Sequence, residues 1–140
     1  MMQPCPYDIT EILYHAPPMI LIDEVEAYSE MEVSSVVEIT ADSPFLEKGT
    51  VPAYVGIEYM AQSIAAYSGI KARNADEEVK IGYLVSTRTM TLSCPSFAIG
   101  DRLKVKVALV YDETPMAVFD GTIHRAEELV AKARLNVYQP

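Results

Sequence analysis

The segment Val51–Arg73, VPAYVGIEYMAQSIAAYSGIKAR, constrains this chain more than any other. Pro52 suits the first turn of a helix, where its missing N–H costs nothing. The next proline is Pro95, so about twenty residues can run as helix without a break. Most of their side chains are apolar or small on every face, which predicts a helix enclosed by the rest of the fold. Two longer polar groups interrupt that pattern, Glu58 and Gln62, four apart and therefore on one stripe. A carboxylate past the first turn of a buried helix is costly unless it is paired or protonated. Chemistry is the usual reason to keep one there.

The flanking segments read mainly as strands. Asp8 and Glu11 hold capping-box spacing for a short helix that must stop before Pro17-Pro18. Met19–Ser29 and Glu32–Thr40 are β-prone, and Asp42–Val51 reads as a loop. After the helix come Ile81–Ser93, alternating cleanly from Val85, then a loop over Cys94–Gly100. Arg102–Tyr111, Ala117–Arg125 and Leu129–Tyr138 complete the strands. One long helix among about six strands requires a curved antiparallel sheet wrapped around it. That is the α+β hot-dog architecture, here as one domain over residues 1–140. Its unpaired sheet edge predicts a dimer by edge pairing.

Charge narrows the partners. The net charge is −9, which argues against nucleic acid. The charge is uneven: residues 1–60 carry a single base, Lys48. Lys71, Arg73, Lys80, Arg88, Arg102, Lys104 and Lys106 cluster later. They are either ordinary solvated element ends or a docking surface for an acidic partner. No apolar run approaches the roughly 20 residues that span a bilayer, and the start shows no signal-peptide pattern, so a cytoplasmic location is expected. Cys5 and Cys94 read as free thiols, and neither has metal-site spacing.

Three stretches resemble the 3-hydroxyacyl-[acyl-carrier-protein] dehydratases of fatty acid synthesis. They are LYHAPPMILIDEV (Leu13–Val25), GTVPAYVGIEYMAQ (Gly49–Gln62) and AIGDRLKVKVAL (Ala98–Leu109). The wording of PPMILID and VPAYVGIEYMAQ is most similar to the dehydratase-like proteins of aryl polyene biosynthesis, which work beside a second, dissimilar hot-dog subunit. The resemblance implies removal of water from a (3R)-3-hydroxyacyl thioester to give the trans-2-enoyl thioester, with no metal or cofactor. Its substrate is carried on the phosphopantetheine of an acyl carrier protein. A histidine takes the α-proton and an acid protonates the departing hydroxyl, at a site shared between two protomers.

By that resemblance Glu58 is the dyad acid and Gln62 the glutamine that follows it. Val55 and Gly56 would offer backbone donors to the thioester carbonyl. Apart from the resemblance, Tyr54 and Tyr59 on the helix read either as core and interface packing or as rings lining a tunnel for a flat acyl chain. The dyad histidine should stand where this chain has Pro44. His15 is either a hydrogen-bonded structural residue or a substitute base, and His124 reads as a surface residue. Glu58 itself stays open among three roles: dehydratase acid, the single carboxylate of a hot-dog thioesterase, or a structural group at an interface. A homodimer would lack the histidine. A heterodimer whose second subunit supplies it accounts for the retained Glu58 and the missing base together.

Overall fold

The computed structural model describes residues 2–140. Among the described residues two α-helices lie among nine strands. In chain order these are β1 (Gln3–Pro4), α1 (Ile9–Ile12), β2 (Glu24–Tyr28), β3 (Glu32–Glu38) and β4 (Thr50–Pro52). A 3-10 turn, Ala53–Val55, then leads into α2 (Gly56–Asn74), followed by β5 (Tyr83–Leu92), β6 (Ser96–Ala98), β7 (Arg102–Glu113), β8 (Met116–Arg125) and β9 (Glu128–Tyr138). The large sheet is antiparallel with order β1-β2-β3-β7-β8-β9-β5, and β4 pairs with β6 alone. This is the hot-dog arrangement. It has seven strands in the main sheet because the two-residue β1 extends one edge, in a proline-rich stretch without strand periodicity.

Alternation explains how the sheet wraps the helix. Leu103, Val105 and Val107 of β7 point inward with Phe119 and Ile123 of β8 and Ala131, Ala133 and Leu135 of β9, all buried. They meet Tyr59, Met60, Ile64, Tyr67 and Ile70 of α2 in one core. The buried Ser63 hydroxyl of α2 donates to the Tyr59 carbonyl at 2.8 Å and accepts from the Ser35 hydroxyl of β3 at 2.6 Å. On α1, the Glu11 carboxylate accepts from the Asp8 N–H at 3.0 Å, the reciprocal half of the expected capping box.

Several expectations change. Met19–Ile22 is not strand, because its backbone is taken elsewhere: the Leu21 N–H donates to Gln62 Oε1 at 2.8 Å, and Gln62 Nε2 donates to the Met19 carbonyl at 2.7 Å. The ladder therefore starts at Glu24. The stretches read as loops before α2 and after β5 hold β4 and β6, whose three-residue runs are too short for a period to register. The helix is not buried all round. Glu58 is exposed, and Ala61, Ala65, Ser68 and Ala72 on the same side are half-buried. Nor does the alternation in β5 give it a buried face: nearly every residue is exposed, so β5 is an uncovered edge. Both cysteines are free. Among the described residues no helix is long and apolar enough to cross a membrane.

Candidate functional site

Glu58 projects from the first turn of α2, not from beyond it as expected, into a cavity of about 130 Å³. Its wall is built from distant parts of the chain. Tyr14 and His15 come from the segment after α1, Gly82 to Leu84 from the start of β5, and Val137 to Gln139 from the end of β9. The floor is the small-residue side of α2, which leaves room because Ala61, Ala65 and Ser68 project so little. The buried, sheltered carboxylate expected from the sequence is therefore corrected. Within one chain Glu58 lies at the mouth of the cavity, beside the open edge of β5.

His15 shares that cavity. Its ring stacks on Tyr14, centroids 4.1 Å apart at 24°, and its Nδ1 is buried without a hydrogen-bond partner. Burial pulls its pKa below the ordinary value, and the nearby Glu58 charge works in the opposite direction. The Tyr14 hydroxyl donates to the Gly82 carbonyl at 2.9 Å, tying the residue before His15 to the entry of β5. Burial, then the charges of Tyr83 and Glu58, raise the pKa of Tyr14.

Gln62 lines the cavity too, but both ends of its amide are committed to the backbone of Met19 and Leu21. It braces the segment that follows His15. The other expected substrate contacts do not meet Glu58's cavity. Tyr54 is 63% exposed outside it. Val55 is buried, and the Gly56 N–H is already donated to the carbonyls of Ala53 and Tyr54, so it is not free to polarise a thioester. Tyr59 faces the core against Phe97, where burial pushes its pKa up to about 12. Pro44 sits in an exposed turn outside the cavity lining. His124 lies on β8, opposite Lys104 of β7, also away from Glu58.

The sequence reading missed Tyr14, Tyr83 and Tyr138 at the cavity. Tyr14's place beside His15 was the one available signal, since the other two arrive through long-range pairing. Among the described residues no group of His, Cys, Asp and Glu is arranged to hold a metal ion.

A curved sheet around one helix, with a carboxylate and an imidazole in a cavity at an unpaired sheet edge, defines a hot-dog protein with acid–base potential. The family profile described as ApeP-like, ApeP dehydratase, matches residues 7–140, and the chain belongs to that dehydratase family. The dehydratase heterocomplex ApeI:P from Xenorhabdus doucetiae is similar in structure, with a TM-score of 0.92 and 30% identity over 96% of this chain and 91% of that one. In sequence, the 3-hydroxyacyl-[acyl-carrier-protein] dehydratase FabZ of Syntrophotalea carbinolica is 27% identical over 140 residues, covering 95% of this chain and 93% of the relative. FabZ of Anaeromyxobacter dehalogenans is 26% identical over 135 residues, 88% and 86% of the two chains.

Proposed function

We propose that this chain is the acid-bearing subunit of a 3-hydroxyacyl-[acyl-carrier-protein] dehydratase, and that a second hot-dog subunit supplies the catalytic histidine. The observation that carries this reading is the position of Glu58, in a half-open cavity bordered by the edge strand β5, in a chain with Pro44 at the expected histidine position. The heterocomplex named for the similar Xenorhabdus structure supports a dissimilar partner.

The chemistry follows from that assembly. The partner's imidazole removes the α-proton of the 3-hydroxyacyl thioester, and the electron pair forms the α,β double bond. The C3–O bond breaks as the Glu58 carboxyl gives its proton to the departing hydroxyl, which leaves as water. Docking of a partner along β5 would cover the mouth of the cavity and exclude water from the reacting groups. Gln62 acts by positioning, through the Met19 and Leu21 backbone, and Tyr14 by tethering β5 to the His15 segment.

A second reading places the base within this chain. His15 shares the cavity with Glu58 and is coupled to its charge. The two readings separate in one assay, enoyl formation from a 3-hydroxyacyl carrier-protein substrate by the purified pair. Glu58→Gln is expected to lower the rate by about 100-fold or more, the usual contribution of a positioned acid. An unchanged rate would leave this chain a structural companion. If His15→Ala abolishes turnover while loss of the partner's histidine does not, the base belongs to this chain.

A further inference from the structure

When the α-proton leaves a thioester, negative charge gathers on the carbonyl oxygen, and a fixed donor aimed at that oxygen lowers the barrier. The start of α2 does not supply that donor from Gly56, whose N–H is already given to Ala53 and Tyr54. In the cavity the Gln62 amide is spent on Leu21 and Met19, and the Tyr14 hydroxyl on Gly82. The Gln139 amide donates to the Lys80 carbonyl at 3.2 Å. Ser68 is out of reach, roughly 15 Å of helix from Glu58 at about 1.5 Å per residue. His15 is different. Among the described residues its Nδ1 is the one buried side-chain nitrogen or oxygen without a partner.

That orphan nitrogen decides where the ring keeps its proton. Nδ1 is sealed from water with no acceptor beside it, so a proton there would be a stranded donor, which folded proteins avoid. An imidazole with a single proton therefore carries it on Nε2, the nitrogen that is not sealed, and leaves a lone pair on Nδ1. Taking up a second proton would force an N–H onto Nδ1 after all. The ring is thus poorly suited to act as a base and well suited to donate while neutral. The direction of its pKa agrees, with burial outweighing the Glu58 charge. The ring is also fixed in place, because Tyr14 stacks on it and is itself tied to Gly82. A donor held in position beforehand needs no rearrangement when charge appears.

We propose that His15 donates its Nε2–H to the thioester carbonyl oxygen of the 3-hydroxyacyl substrate, while Glu58 faces the 3-hydroxyl of the same molecule. This rests on the dehydratase reading above. The carbonyl carbon and the hydroxyl-bearing carbon flank one α-carbon, so the groups that serve them must share one small space. Glu58 and His15 do share one, of about 130 Å³. His15 makes and breaks no covalent bond. The α-proton passes to the partner's imidazole, the hydroxyl departs with the Glu58 proton, and the Nε2 proton stays on its ring throughout. This chain then grips both ends of the reacting fragment, and the base is the part that it leaves to the partner.

Infrared difference spectra of butanoyl-pantetheine, isotope-labelled at the thioester carbonyl and bound to the assembled pair, test this without turnover, since the probe has no 3-hydroxyl to lose. The labelled carbonyl stretch should fall in frequency on binding to the wild-type pair. It should return toward the free value with His15→Ala and fall again with His15→Gln, whose amide can donate but cannot take up a proton. In the dehydration assay His15→Ala is expected to lower kcat by about 100-fold or more with a much smaller change in KM. His15→Gln should recover at least about tenfold of that loss. A carbonyl stretch that stays at the free value in the wild type, or stays lowered in His15→Ala, overturns the proposal. So does a shift that disappears instead with Tyr83→Phe or Tyr138→Phe, because the donor is then a tyrosine. A His15→Gln pair as slow as His15→Ala overturns it too, since the ring is then a base or only packing. Failure of the dehydratase reading would appear separately, as a His15-dependent carbonyl shift without enoyl formation from the 3-hydroxyacyl substrate.

Discussion

At His15, burial and charge oppose each other, and burial wins: its pKa lies below the usual 6.5. The fold therefore favours the neutral imidazole. Its contribution to stability is complete above pH 6.5 and is lost as pH falls through the depressed folded value. Thermal unfolding at pH 7 and pH 5 should show a larger loss for the wild-type chain than for His15→Gln, and equal losses would refute the assignment. Gln62 presents the opposite case, a buried group whose hydrogen-bonding capacity toward one segment is fully used. Gln62→Leu strands the Leu21 N–H and the Met19 carbonyl, at about 1–3 kcal/mol each. Urea unfolding should report a total loss of about 2–6 kcal/mol. A loss below about 1 kcal/mol would mean that this segment relaxes to other partners.

Packing of one element on another has a sharp test at Gly69. A Cβ there would stand 1.8 Å from the Ile12 carbonyl oxygen, and a neighbouring backbone cannot rotate away as a side chain can. Gly69→Ala gains up to about 1 kcal/mol of helix propensity, yet should be destabilising by about 2 kcal/mol or more overall, because α1 must move off α2. Gly121→Ala is the control: its nearest neighbour is the flexible Met60 side chain, 2.7 Å from the added carbon, so a change within about 1 kcal/mol is expected. Chemical denaturation of the two variants compares them directly. The β5 edge behaves differently, since Val85 is 57% exposed in the single chain. Val85→Lys should leave the stability of the isolated chain within about 0.5 kcal/mol, as surface changes do. It should weaken association with the partner, read by sedimentation of the mixture, and unaltered assembly would place the interface elsewhere.

At the scale of the whole molecule, Glu58's cavity and the open sheet edge adjoin. The strand that borders the cavity, β5, pairs with β9 on one side and has no neighbour on the other, so covering that edge would also cover the cavity mouth. How much of this was legible beforehand follows from which interactions are local. The long helix, the alternation in β7, the order of elements and the singular Glu58 were all readable, because propensity and periodicity act over neighbouring residues. Those patterns determined that one helix would be wrapped by an antiparallel sheet with a carboxylate near the helix start. They did not determine that Glu58 would be exposed, that Gln62 would be committed to Met19 and Leu21, or that β5 would lack a buried face. Nor did they bring Tyr14, Tyr83 and Gln139 to one cavity, or pair Arg102, Lys104 and Lys106 of β7 with Glu38, Glu26 and Glu32. Only the tertiary structure decided these, because each depends on which surfaces meet across tens of residues, and distance along the chain does not record that.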